Sequence, residues 1–187
     1  GLADASHNWY MTLAGKLVEL GCVKMHTDHA LFYYIKNERL AGIISTHVDD
    51  LVVCGNNDFN EEIMKPVYNM FKFGSIGEED GFRILGWDIM HQRDGIYVSQ
   101  ETYIDSKLDY LDIEQGGRST TTELSDEEKS IIRAMVGKIR WVTDQTRPDL
   151  CIDELVVSIL QGKATYREVK TINKMIKRLK DLQYSIK

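Results

Sequence analysis

The apolar pattern of this 187-residue chain changes period once, and that change limits what it can fold into. Up to about residue 99, short apolar runs bounded by turn residues dominate: ALFYYIK at 30–36, AGIISTHV at 41–48, LVVC at 51–54, and a hairpin of 82–90 with 95–99 turning around Arg93, Asp94 and Gly95. Runs of this length, rich in β-branched and aromatic residues, predict strands. Two helical patterns are interleaved with them. DASHNWYMTLAGKLVELG repeats Trp9, Leu13, Leu17 and Leu20 at helical steps, with Asp4 or Ser6 to cap it and Gly21 to end it. Residues 58–73 carry Phe59, Ile63, Val67 and Met70 in the same way, and Pro66 is expected to kink or break that helix.

Beyond Gln100 the strand signals stop. TYIDSKLDYL at 102–111 predicts a short helix with Tyr103, Ile104, Leu108 and Leu111 on one side, followed by a polar linker at 114–122. Ser125 with Glu128 and Thr165 with Glu168 have the spacing of capping boxes. The first opens a helix with Ile131, Met135, Ile139 and Val142 on its inner face. Between them, Pro148 suits the first turn of a helix holding Ile152, Leu155, Val156 and Ile159. Strands followed by helices predict an α+β chain of two subdomains, 1–99 and 100–187.

At 43% hydrophobic residues the chain can bury a real core, and no apolar run approaches the roughly 18 residues that span a bilayer. No secretory signal is visible. Gly1 is not a start methionine and a helical pattern begins almost at once, so the chain is expected to be a piece of a larger polypeptide. Cys22, Cys54 and Cys151 are odd in number and widely spaced, which predicts a reducing compartment and three buried small hydrophobes in place of disulfides or a zinc module. Net charge is −6, but residues 163–187 carry +6 and the remainder −12. The body is acidic and the last helix basic.

Asp49 and Asp50, in STHVDDLVVCG, are the least expected residues in the strand region. Adjacent like charges repel, and charge is costly beside a core. A hairpin tip explains them, because Asp is a common turn residue. So does a divalent-metal site, which needs carboxylates held rigidly; apolar runs on both sides predict a hairpin packed on the core.

H-V-D-D resembles the Y-x-D-D box of reverse transcriptases. GLADASHNWY at 1–10 is similar to the GLKQAPRAWY-type segment that precedes this box in copia-type retrotransposon polymerases. ILGWDI at 84–89 and DGIYVSQETYI at 94–104 resemble their F-L-G-I-E-I strand and the D-G-I-x-L-S-Q-x-x-Y-I that follows, and TRPDL at 146–150 resembles their T-R-P-D-I. The segments occur in family order across nearly the whole chain.

The resemblance implies an RNA-directed DNA polymerase fragment: an incomplete palm, then a helical thumb and connection. It implies Asp49 and Asp50 as catalytic ligands of Mg²⁺ (or Mn²⁺), with RNA or DNA template-primer and dNTP as partners. It implies Leu85, Gly86, Trp87 and Asp88 as a primer-gripping strand, and an intracellular setting, either a cytoplasmic virus-like particle or the nucleus. From the residues themselves, Gly86 also fits a bulge and Trp87 a core filler. Lys170, Lys174, Lys177 and Arg178 can follow a phosphate backbone or form a solvated face opposite Val169, Ile172, Ile176 and Leu179. The family's third carboxylate lies upstream of the first matched segment, so the chain alone is expected not to polymerise. Ala3, Asp4, Ser6 and His7 replace Lys, Gln, Pro and Arg of the family, and His47 replaces an aromatic, which weakens the expected nucleotide contacts. The alternative is a non-catalytic module, derived from such a polymerase, that binds nucleic acid or protein.

Overall fold

A computed structural model describes residues 4–74, 76–77, 80–182 and 185–187. Gly1, Leu2 and Ala3 of the first matched segment lie outside the described residues. The chain is α+β and divides into two compact units, Gly1–Ile76 and Gly77–Lys187. The sequence boundary near residue 100 marks a change of element type inside the second unit. The strands over 81–99 are hydrogen-bonded and packed with the helices that follow them.

The first unit begins with α1 (Ala5–Glu19), which buries Leu13, Ala14 and Leu17 and stops where Gly21 takes φ +97°. An antiparallel sheet follows, in the order β1 (Val23–Lys24), β2 (Leu31–Lys36), β3 (Arg39–His47), β4 (Asp50–Gly55). Asn37 and Glu38, both at positive φ, form the two-residue turn between β2 and β3 that matches strand twist. Asn56 then caps α2 (Asn57–Phe59) by accepting the Phe59 N–H at 3.0 Å. This short entry swings the Phe59 ring over Gly42 and Gly55, which are register partners on β3 and β4. A Cβ on either glycine would lie within 2.2 Å of that ring, so both positions require glycine for packing. Phe59 is fully buried, which stabilises the unit by about 2–3 kcal/mol.

Pro66 does not break the helix. Residues Asn60–Met64 form a π turn, and Pro66 falls in the first turn of α3 (Lys65–Met70), directly after it. One apolar cluster joins α1, the sheet and the α2–α3 segment. Of the cysteines, Cys22 is buried, and burial pushes its thiol up to about 11. Cys54 is exposed on β4, contrary to the sequence expectation, because β4 is an edge strand with little burial.

The second unit pairs β5 (Gly81–Ile84), β6 (Trp87–Gln92) and β7 (Gly95–Ser99) in an antiparallel sheet, followed by α4 (Glu101–Lys107). The helix predicted over 102–111 ends at Lys107, yet Leu108 and Leu111 remain buried. The Asn173 side chain accounts for this: it accepts from the Leu111 N–H at 2.8 Å and donates to the Leu111 carbonyl at 3.0 Å, acting as the strand partner of an extended segment. Both capping boxes form, opening α5 (Asp126–Thr143) and α7 (Tyr166–Asp181). On α5 the buried face includes Ile132 in place of Ile131. The larger departure is α6 (Cys151–Leu160): it buries Glu154 and Val157 and exposes Ile152, Leu155, Val156 and Ile159. Among the described residues, no helix is long and apolar enough to cross a membrane.

Candidate functional site

The Asp pair sits where β3 turns into β4. His47 and Asp50 are the last register partners, leaving Val48 and Asp49 as a two-residue turn. Asp49 is thus at the tip, and Asp50 opens β4. Such turns favour glycine, asparagine or aspartate where φ is positive. Here the positive φ, +52°, falls on Val48. A β-branched residue there is strained by about 1–2 kcal/mol. Val48, Asp49, Asp50 and His47 are all exposed, and among the described residues neither carboxylate makes a hydrogen bond or ion pair. The supporting hairpin is buried mainly through β3, with Leu51 of β4 packed partly buried against the same core. β3 buries Ala41, Ile44 and Thr46, while β4 runs along the sheet edge with Val53 and Cys54 exposed.

A cavity of about 350 Å³ opens beside this turn, lined by His47 and Val48 together with Lys24 and His29. Its walls are hydrogen-bonded. The Tyr10 hydroxyl donates to the His29 carbonyl at 2.6 Å, and Thr46 donates to the Ala30 carbonyl through its N–H at 2.8 Å and its hydroxyl at 3.1 Å. The Lys24 ammonium lies 5.2 Å from the Tyr10 ring centre, a cation–π distance. Sequence reasoning did not single out Lys24, Tyr10 or His29. Their grouping depends on the β1–β2 hairpin, whose first strand has only two residues.

The donor chemistry of Asp49 and Asp50 fits part of a Mg²⁺ or Mn²⁺ site: hard oxygens, exposed and, among the described residues, uncommitted to any internal cation. It does not make a complete protein cage. Among the described residues, no group of three or more His, Cys, Asp or Glu side chains converges as a metal site.

The four residues expected to form one primer-gripping strand do not share a strand. Leu85 and Gly86 are the two-residue turn between β5 and β6, at φ +53° and +81°, and Trp87 and Asp88 begin β6. Gly86 supplies the backbone freedom for the turn, which splits the predicted strand of 82–90. A Cβ at Gly86 would also come within 3.4 Å of the Trp141 indole nitrogen and the Tyr103 ring. Trp87 is half-buried, and its indole N–H is buried without a partner. Asp88 is occupied internally: it accepts the Thr102 N–H at 2.9 Å, at the start of α4, and pairs with Arg83 at 3.2 Å.

On α7, Lys170, Lys174, Lys177 and Arg178 are all exposed, opposite a buried face of Val169, Ile172, Met175, Ile176 and Leu179. Lys170 lies 5.3 Å from the Tyr166 ring centre, and Arg178 pairs with Asp149 at 3.1 Å. Lys174 and Lys177 make no ion pair among the described residues. TRPDL forms the turn into α6, and its charges are spent on the fold. Arg147, fully buried, binds both Asp149 oxygens at 2.8 and 2.9 Å and donates to the Leu182 carbonyl at 2.7 Å. That guanidinium holds the Asp149 carboxyl below the usual carboxylate range.

No protein-family model matches this chain, and no solved structure matches it significantly.

Proposed function

We propose that this chain is part of an RNA-directed DNA polymerase of the copia type, with Asp49 and Asp50 contributing to its metal site. The observation that carries the reading is the Val48–Asp49 turn: two uncommitted carboxylates on a hairpin held in a strained conformation beside a cavity. Carboxylates needed only for the turn would tolerate the relaxed residues that such turns favour, and strain of this kind concentrates at functional sites. The motif order along the chain supports the same reading.

In this account Asp49 and Asp50 present oxygens to divalent cations from a hairpin end whose position β3 fixes through its buried residues. Bound there, Mg²⁺ would stabilise the charge on the attacking and leaving oxygens of a phosphoryl transfer. Lys24, which lines the adjacent cavity, offers a cation to a phosphate-bearing partner. The Leu85–Gly86 turn offers exposed backbone and the Leu85 side chain to a primer strand, while Asp88 ties the strand that follows to α4 through the Thr102 N–H. The outer edge of β4, unpaired among the described residues, is available to the further carboxylate-bearing strand that the resemblance implies. Without that strand the two carboxylates are an incomplete ligand set, and the chain alone is proposed to be inactive in nucleotide addition.

A second reading is favoured by Lys174 and Lys177, which leave a basic helix face free: a non-catalytic module that holds nucleic acid. Binding to an RNA–DNA primer-template, titrated with Mg²⁺ and paired with a primer-extension assay, separates the two. The polymerase reading predicts Mg²⁺-dependent binding that Asp49→Asn with Asp50→Asn abolishes, and no extension by either protein. Binding that ignores both Mg²⁺ and the substitutions would overturn it in favour of the module.

A further inference from the structure

The α6 helix is turned inside out. Its buried positions are Glu154 and Val157, and Glu154 Oε1 is buried without a hydrogen-bond partner. Its outward face is apolar: Ile152 is 72% exposed, Ile159 73%, Leu155 and Val156 50% each, and Leu160 42%. Single exposed apolar residues are ordinary on a protein surface, whereas five on one face of a ten-residue helix form a patch that marks an interaction site.

The arrangement of that face selects its occupant. Leu155, Val156, Ile159 and Leu160 are spaced symmetrically about a point between Val157 and Ser158. Two such helices packed antiparallel about a two-fold axis set Leu155 of one against Leu160 of the other, and Val156 against Ile159. The ends match in charge. Asp153, exposed in the first turn, falls opposite Gly162 of the second copy, one residue from Lys163, which ends the short 3₁₀ turn after the helix C-terminus. The antiparallel helix dipoles favour the same contact, an acid at an N-terminus and a base at a C-terminus. The face is therefore self-complementary in both shape and charge.

We infer that α6 is a homodimerisation face and that its occupant is the α6 of a second copy of this chain, packed antiparallel. A single pair of helices this short buries less than the roughly 800 Å² per partner of standard interfaces, so the dimer is weak and concentration-dependent. This inference is independent of the metal reading, since Asp49 and Asp50 take no part in it.

Sedimentation velocity of the full chain from about 1 µM to 1 mM tests it. The expected result is a monomer–dimer equilibrium in the upper part of that range. Ile159→Glu, at a position exposed enough to leave folding intact, should weaken association at least tenfold by burying a charge in the contact. Asp153→Lys and Lys163→Asp should each weaken it several-fold, and the two together should restore it, because the charge swap recreates the end contacts. A monomer throughout, association unchanged by Ile159→Glu, or a double swap no better than either single change would overturn the antiparallel pairing. Circular dichroism of each variant establishes that a loss of association is not a loss of fold.

Discussion

The HVDD and TRPD turns each carry aspartate beside a basic residue, and the fold treats them in opposite ways. In TRPD, Arg147 is fully buried and grips Asp149 with two hydrogen bonds, while its third contact reaches the end of α7 through Leu182. In HVDD, His47 and Asp50 face each other across the ladder and Asp49 stands at the tip, all exposed, with no ion pair among the described residues. Charge that serves architecture is paired, here through a buried guanidinium; charge left unpaired on a strained turn remains available to a ligand. The difference separates a motif that holds the structure from one that the structure presents.

The contrast can be broken most sharply at Arg147. Arg147→Met removes the guanidinium hydrogen bonds to Asp149 and to the Leu182 carbonyl and should cost about 1.5–3 kcal/mol, seen as a lower urea midpoint for the second unit. A loss under 1 kcal/mol would show that the pair is not structural. A smaller effect comes from acid. Arg147 depresses the folded-state pKa of Asp149, so the stabilisation is present above the unfolded value of about 3.9 and is lost as pH falls through the lower folded value. Melting temperatures measured from pH 6 to pH 2 should fall most steeply below about pH 4, and Asp149→Asn should flatten that part of the curve. Glu154 has the opposite sign: burial raises its pKa, so its cost appears as pH rises through the folded value. Glu154→Leu should therefore stabilise the second unit at neutral pH, by about 1–2 kcal/mol, through removal of an unpaired buried carboxyl.

On the other side of the comparison, Val48→Gly should stabilise the first unit by about 1 kcal/mol, because it relieves the positive φ. If Val48 is placed for function, the same variant should also lose metal-dependent binding of primer-template. Asp49→Asn with Asp50→Asn should change metal-free stability least, within about 0.5 kcal/mol, as expected for exposed groups with no internal partner. A large loss there would move HVDD into the same class as TRPD.

Much of this was legible in the sequence because it is local. The α+β class, the hairpin at Asp49 and both capping boxes follow from periods and spacings a few residues long. The readings that differed depend on distant partners. The strand predicted over 82–90 breaks because Gly86 turns the chain at φ +81°, close against Trp141 and Tyr103. The helix predicted through Leu111 stops because Asn173, 62 residues away, takes the backbone instead. Ile152, Leu155, Val156 and Ile159 have the spacing of a core face, and spacing alone does not say whether the core lies on that side. The exposure of β4 was hidden for a related reason: LVVC is apolar whether its strand is central or at an edge. The sequence singled out Asp49 and Asp50 but carried no sign of the strain at Val48 or of the cavity built around Lys24 and Tyr10, both of which require the folded hairpins.

The central claim, that the HVDD turn is presented for a divalent cation, is tested most directly by Mn²⁺ added to isotopically labelled protein and followed through paramagnetic broadening of amide resonances. The account predicts broadening centred on residues 47–51 at low Mn²⁺, abolished by Asp49→Asn with Asp50→Asn and reversed by competing Mg²⁺. Broadening centred elsewhere, or unchanged in the double variant, would contradict it and leave the two aspartates as a solvated turn.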